Sequence, residues 1–137
     1  MTALVLDASA ALAWLLPSQA TMAADRLLAR ADEYDFIAPD VFRWEVANVL
    51  MVKARGHSLA ADEAFGQLDA LEIVFDQPLA EGEVRQLVDV AIANGLSLFD
   101  AAYLALAIER DAALASRDGP LLAAGIAAGV DVFDLRG

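Results

Sequence analysis

The sequence predicts an α/β fold, a three-layer sandwich in which helices cover both faces of a central, mainly parallel sheet, and three observations lead there. Short apolar runs alternate with longer amphipathic or Ala-rich segments, which implies crossover connections between parallel strands. Hydrophobic residues make up 59% of 137 positions, enough for a core of one domain spanning 1–137. No linker or internal repeat interrupts the chain.

The elements follow in order. Ala3 to Leu6 is an apolar run ended by Asp7 and Ser9, so a strand passes into an Ala-rich helix reaching Leu16. Beyond Pro17, the stretch Thr21 to Ala31 sets Met22, Leu27 and Leu28 among Asp25, Arg26 and Arg30, an amphipathic pattern. Tyr34 to Ala38 reads as the second strand. Pro39 suits a first helical turn, and that helix runs through Phe42, Trp44, Val46 and Leu50 until Gly56. Ser58 is placed to cap the next helix, which extends to Leu71 and is followed by a strand at Glu72 to Phe75.

A helix from Glu81 to Ala93 ends at Asn94-Gly95, and Ser97 with Asp100 three residues on opens another reaching Arg110. Ala112 to Ser116 reads as a strand. Asp118 caps the last helix, with Pro120 in its first turn, and Val130 to Phe133 closes the chain as a strand. Gly125 and Gly129 are four apart, a spacing that here suits close packing.

Composition excludes several classes of function. There are 21 acidic and 9 basic side chains, a net charge of -12, and the pI is about 4.2. Such a surface repels polyanions and argues against non-specific coating of nucleic acid or anionic membranes. The longest uncharged stretch, Ala8 to Ala24, is broken by Pro17, Ser18, Gln19 and Thr21, whereas a spanning helix needs about 20 mostly apolar residues. With Asp7 inside the first apolar segment, no export signal is read and the expected location is the cytoplasm.

The absence of cysteine removes thiolate catalysis and Cys-based metal sites. His57 is the one histidine and follows Gly56 in an expected turn, which leaves Ser-His-Asp chemistry without a credible base. The one lysine, Lys53, follows no phosphate-binding loop, and no G-x-G-x-x-G follows a strand. Carboxylates remain as the chemical resource.

Four acids stand out. Glu45 lies in an apolar helix with Val41, Phe42, Asn48 and Val49 as its neighbours, a costly place for a carboxylate unless Arg43 or Arg117 pairs with it. Asp100 has Leu96, Tyr103 and Leu104 as neighbours, although its place after Ser97 also suits the positive end of a helix dipole. Asp7 and Asp118 each follow a strand, and helix capping alone accounts for either. Together, two acids at strand ends and two on inward helix faces converge at the sheet's C-terminal edge, where ligands bind in such folds. Clustered carboxylates without His or Cys suit Mg²⁺ or Mn²⁺, ions that serve phosphoryl chemistry.

The segments V-L-D-A-S-A (5–10), W-E-V-A-N-V-L (44–50), L-S-L-F-D-A-A-Y-L-A-L-A (96–107) and L-A-S-R-D-G-P-L (114–121) resemble, in order and spacing, the PIN-domain family. Within it the likeness is to VapC-type toxins of toxin-antitoxin pairs. The resemblance implies a PIN-like sandwich and a metal-dependent ribonuclease in which Asp7, Glu45, Asp100 and Asp118 gather Mg²⁺ or Mn²⁺. It makes Ser9 and Ser116 accessory residues; Ser116 stands where many relatives have threonine, and Phe99 where tyrosine is frequent.

It also implies a homodimer and a VapB-like antitoxin seated in a groove near the site. The helices between Pro39 and Leu71, with Phe42, Trp44, Met51, Phe65 and Leu68, are the expected groove, against core packing as the competing role. Arg43, Lys53, Arg55 and Arg117 are candidate RNA contacts, against solvated surface charge. Two other functions compete: a non-catalytic PIN-like interaction module, and a Mg²⁺-dependent phosphotransfer receiver. The receiver lacks its late lysine, and a dehalogenase-like phosphatase lacks D-x-D at Asp7-Ala8-Ser9.

Overall fold

Asp7 ends one parallel strand and Ser116 ends its neighbour, and the fold is organised around that adjacency. A computed structural model describes residues 1–57 and 60–137. The helix start expected at Ser58 lies outside the described residues.

Five parallel strands form the sheet in the order β3-β2-β1-β4-β5. These are β1 (Thr2–Leu6), β2 (Tyr34–Ala38), β3 (Val74–Phe75), β4 (Ala113–Ser116) and β5 (Val132–Asp134). The helices are α1 (Ala8–Leu15), α2 (Met22–Leu28), α3 (Val41–Arg55), α4 (Ala61–Asp69), α5 (Glu81–Asn94), α6 (Leu98–Glu109) and α7 (Gly119–Ala127). β1 pairs with β2 on one side and β4 on the other, Val5 standing between Ile37 and Leu114.

The crossovers set the layers. From β1 the chain steps outward through β2 to β3, and right-handed connections lay α1 to α4 over one face. It then returns to β4 on the other side of β1 and continues to β5, so α6 and α7 cover the opposite face, with α5 packed on the outside of α6. The expected three-layer sandwich is the observed one. The reversal of direction falls between β1 and β4, and this switch point is where open parallel sheets place ligands.

β1 and β4 are covered on both faces, and their residues Leu4, Val5, Leu6, Leu114 and Ala115 are fully buried. Small alanines at 10, 11, 101 and 107 let α1 and α6 lie close to the strands. Gly125 serves the same end: a Cβ there would stand 3.0 Å from Val132 Cγ1. Gly129 differs from its neighbour four residues back, since it has a φ of +81° and ends the α7 turn. Gly95 closes α5 at a φ of +63°.

Edge elements are shorter than the sequence pattern indicates. β3 retains only Val74 and Phe75, because Glu72 turns with a φ of 54°. β5 starts at Val132, with Asp131 contributing its carbonyl to the Leu114 N–H. α2 stops at Leu28, and a separate short turn at Ala31–Glu33 leads into β2. Among the described residues no single helix is long and apolar enough to cross a membrane.

Candidate active site

All four predicted acids lie at the C-terminal edge of the sheet around the β1/β4 switch point. Asp7 follows β1 and caps α1, its Oδ1 accepting the Ala10 N–H at 2.8 Å. Asp118 follows β4 and caps α7, its Oδ2 accepting the Leu121 N–H at 2.9 Å. Asp100 stands in the first turn of α6, where Ser97 caps its N–H at 3.1 Å. Capping and clustering are thus one arrangement: three helices present their positive N-terminal ends where the carboxylates gather, which offsets part of the mutual repulsion.

Asp7 is the most enclosed, only 3% exposed. Its carboxylate is held by two hydroxyls, Ser9 Oγ donating to Oδ1 at 2.7 Å and Ser116 Oγ donating to Oδ2. Each hydroxyl is tied in turn to the turn after β4: Ser9 Oγ accepts the Arg117 N–H at 2.9 Å, and Ser116 Oγ accepts the Asp118 N–H at 2.9 Å. Ser9 and Ser116 therefore fix where Asp7 and Asp118 stand relative to one another.

Glu45, near the start of α3, is half-buried, and neither arginine pairs with it. Its partner is Tyr103 of α6, whose phenol donates to Oε1 at 2.6 Å. Tyr103 is a functional candidate that sequence reasoning named only as a neighbour of Asp100. The available signal was its place three residues after Asp100 on one face of α6.

The electrostatics join these groups. Burial pushes the Asp7 carboxyl up to about 6, against the lowering effect of its hydrogen bonds, with Asp100 repulsion adding to the rise. Burial also raises Glu45, with a further contribution from Asp100. Asp100 is raised by burial and by Asp118. Each pair of effects requires carboxylates near enough to repel, and Asp100 touches the field of all three others.

Among the described residues no three His, Cys, Asp or Glu side chains converge closely enough to cage an ion. Donor chemistry nevertheless fits a hard cation: the donors are oxygens, and a positive ion would relieve the repulsion that raises all three carboxyls. Magnesium commonly uses one or two carboxylates and keeps water or substrate phosphate as its other ligands.

The arginines are engaged elsewhere. Arg117 Nη1 donates to Gln19 Oε1 at 3.1 Å, and its buried Nε has no hydrogen-bond partner among the described residues. Arg43 lies over the Phe75 ring at 4.0 Å and 3.8 Å from Asp40.

The expected groove residues separate. Phe42 is fully buried in the core, as the competing role required, whereas Trp44 is 75% exposed. An apolar cleft of about 450 Å³ lies beside the start of α3, between the loop after β3, α5 and α6, and is lined by Trp44, Leu79, Leu87, Leu98 and Phe99. It adjoins the site because Trp44 precedes Glu45 and Phe99 precedes Asp100.

This is an acid-lined site at the switch point of a parallel sheet, and the sequence pattern of the PIN domain matches residues 4–125. The chain belongs to the PIN-domain family. More particularly, it is 36% identical over 107 residues to Ribonuclease VapC3 of Pyrobaculum aerophilum, covering 76% of this chain and 80% of that protein. Solved structures share the fold at lower identity. PAE2754 from Pyrobaculum aerophilum matches with a TM-score of 0.66 at 21% identity over 96% of this chain and 84% of the other. FitAcB from Neisseria gonorrhoeae matches at 0.60 and 19%, over 97% and 98% of the two chains. FitAB bound to an IR36 DNA fragment matches at 0.66 and 18%, over 98% and 96%.

Proposed function

We propose that this protein is a Mg²⁺- or Mn²⁺-dependent endoribonuclease, the toxin of a VapBC-type pair, acting as one domain in the cytoplasm. The observation that carries the reading is the meeting of Asp7, Glu45, Asp100 and Asp118 at the β1/β4 switch point of a PIN-domain chain related to a VapC ribonuclease.

Asp7, Glu45, Asp100 and Asp118 would hold the cation, with Ser9 and Ser116 fixing Asp7. When bound there, such an ion would supply charge neutralisation at the scissile phosphate and would make an attacking water more acidic. Asp100 and Asp118, less enclosed than Asp7, would be the carboxylates open to an attacking water and would help to orient it. The helix N-termini beside the acids favour the approach of a phosphate despite the chain's net charge of -12. Arg43 and Arg117 contact the RNA backbone after leaving Phe75 and Gln19.

The partner assignments are an antitoxin and a second copy of this chain. Exposed Trp44 and Phe99 beside the site support partner docking, since apolar side chains grouped around a cleft mark interaction surfaces. The experiment is expression of wild type and Asp100→Asn in cells, with mapping of RNA 5′ ends. Growth arrest and discrete new ends with wild type alone support the reading. Equal toxicity without new ends refutes cleavage and favours the interaction module.

A further inference from the structure

We propose that Tyr103 is a positioning residue that holds Glu45 in the orientation needed to receive the cation. The proposal rests on the metal-dependent reading above and adds a residue outside the four carboxylates.

The geometry is specific. Tyr103 is 1% exposed, and its ring packs within the main core. Its hydroxyl leaves that core to reach Glu45 Oε1 at 2.6 Å across 58 residues of sequence, from α6 to α3. This length is typical of an O–H donor on a carboxylate. The Ala8 N–H, one of the first-turn donors of α1 that no helical carbonyl can satisfy, is near enough to the same hydroxyl to oppose the rise of its pKa. One phenol thus ties the helix carrying Asp100 to Glu45 on α3.

The consequence concerns Glu45's freedom. A half-buried glutamate has three side-chain torsions to lose, and it stands on a different helix from the other acids. With Oε1 taken by Tyr103, rotation is restricted and Oε2 is left for a ligand. Residues that orient ligands in this way commonly change metal affinity or activity by about 10- to 100-fold when removed. Tyr103 needs no contact with RNA to act, so its effect falls on metal binding and turnover rather than on RNA affinity.

The test is a double-mutant cycle using Mn²⁺ alone as probe, by calorimetry, with RNA cleavage measured in parallel. Tyr103→Phe keeps the ring and removes only the hydroxyl; Glu45→Gln removes the charge; the double variant combines them. Folding of each is checked by circular dichroism. Tyr103→Phe is expected to weaken Mn²⁺ binding about 10-fold or more and lower kcat with KM for RNA unchanged. In the Glu45→Gln background the same change should have no further effect on Mn²⁺ affinity. Independent, multiplying effects, or wild-type Mn²⁺ affinity in Tyr103→Phe, would overturn the proposal. If the cycle shows coupling on Mn²⁺ while the wild type cleaves no RNA, Tyr103's role stands and the nuclease reading falls.

Discussion

Ser116 Oγ donates to Asp7 Oδ2 and accepts the Asp118 N–H at 2.9 Å, so one fully buried hydroxyl joins the ends of β1 and β4. The carboxylate it holds is buried, so removing the hydroxyl leaves that oxygen without ready access to water in its place. Ser116→Ala should therefore destabilise the protein by about 1–3 kcal/mol, the cost of leaving buried polar groups unpaired. Urea denaturation measures this. Threonine at 116 keeps the hydroxyl and should retain cleavage.

Asp7 sets a pH dependence with a definite sign. Its carboxyl titrates near 6 in the folded protein and ordinarily at 3.8, so folding favours the protonated form. The stability this contributes is complete below the lower value and is lost as pH rises through the higher. The loss is about 3 kcal/mol at about 1.4 kcal/mol per pH unit. Metal-free protein should accordingly show a fall in urea midpoint between pH 4 and 6.5 that is smaller in Asp7→Asn.

A cation and a proton compete for the same carboxylate. Apparent Mn²⁺ affinity should rise steeply as pH increases toward about 6 and level off above it, because ligands must be deprotonated to bind. Calorimetric titration at pH 5, 6 and 7 reads this directly, and pH-independent affinity would exclude Asp7 as a ligand.

The two glycines near α7 separate by mechanism. Gly125→Ala should cost about 1–3 kcal/mol through overpacking, because its Cβ would meet the stiff Val132 side chain at 3.0 Å. Gly129→Ala meets nothing within 4 Å and should cost about 1–2 kcal/mol through its left-handed backbone alone. Thermal unfolding of the pair, with Val132→Ala as a rescue, tells them apart: rescue is expected for Gly125→Ala only.

Much of this architecture is legible in the chain because apolar runs are short and contiguous, such as Ala3 to Leu6, ended by Asp7, and Ala112 to Ser116, set between Asp111 and Arg117. The strand Tyr34–Ala38 matches its pattern residue for residue. Asp7, Asp118 and Ser97 are legible as caps, since capping is a local matter of three residues. Edge strands are harder: Val130 and Glu72 have strand-like neighbours, yet turn geometry removes them from the ladder. Long-range pairings leave no local trace. Nothing near Glu45 indicates that its partner is Tyr103, and the charges of Arg43 and Arg117 do not reveal that Phe75 and Gln19 hold them. Trp44 has the composition of a core residue and is exposed because its position on α3 faces away from the sheet.

A metal-dependent RNA-cleaving site built on Asp7, Glu45, Asp100 and Asp118 makes a direct demand on the purified protein. Purified wild-type protein incubated with total cellular RNA in Mg²⁺ or Mn²⁺ should produce discrete fragments, and EDTA or Asp100→Asn should abolish them while circular dichroism stays unchanged. Cleavage that persists in EDTA and in Asp100→Asn would show that neither a metal ion nor this acid cluster does the chemistry.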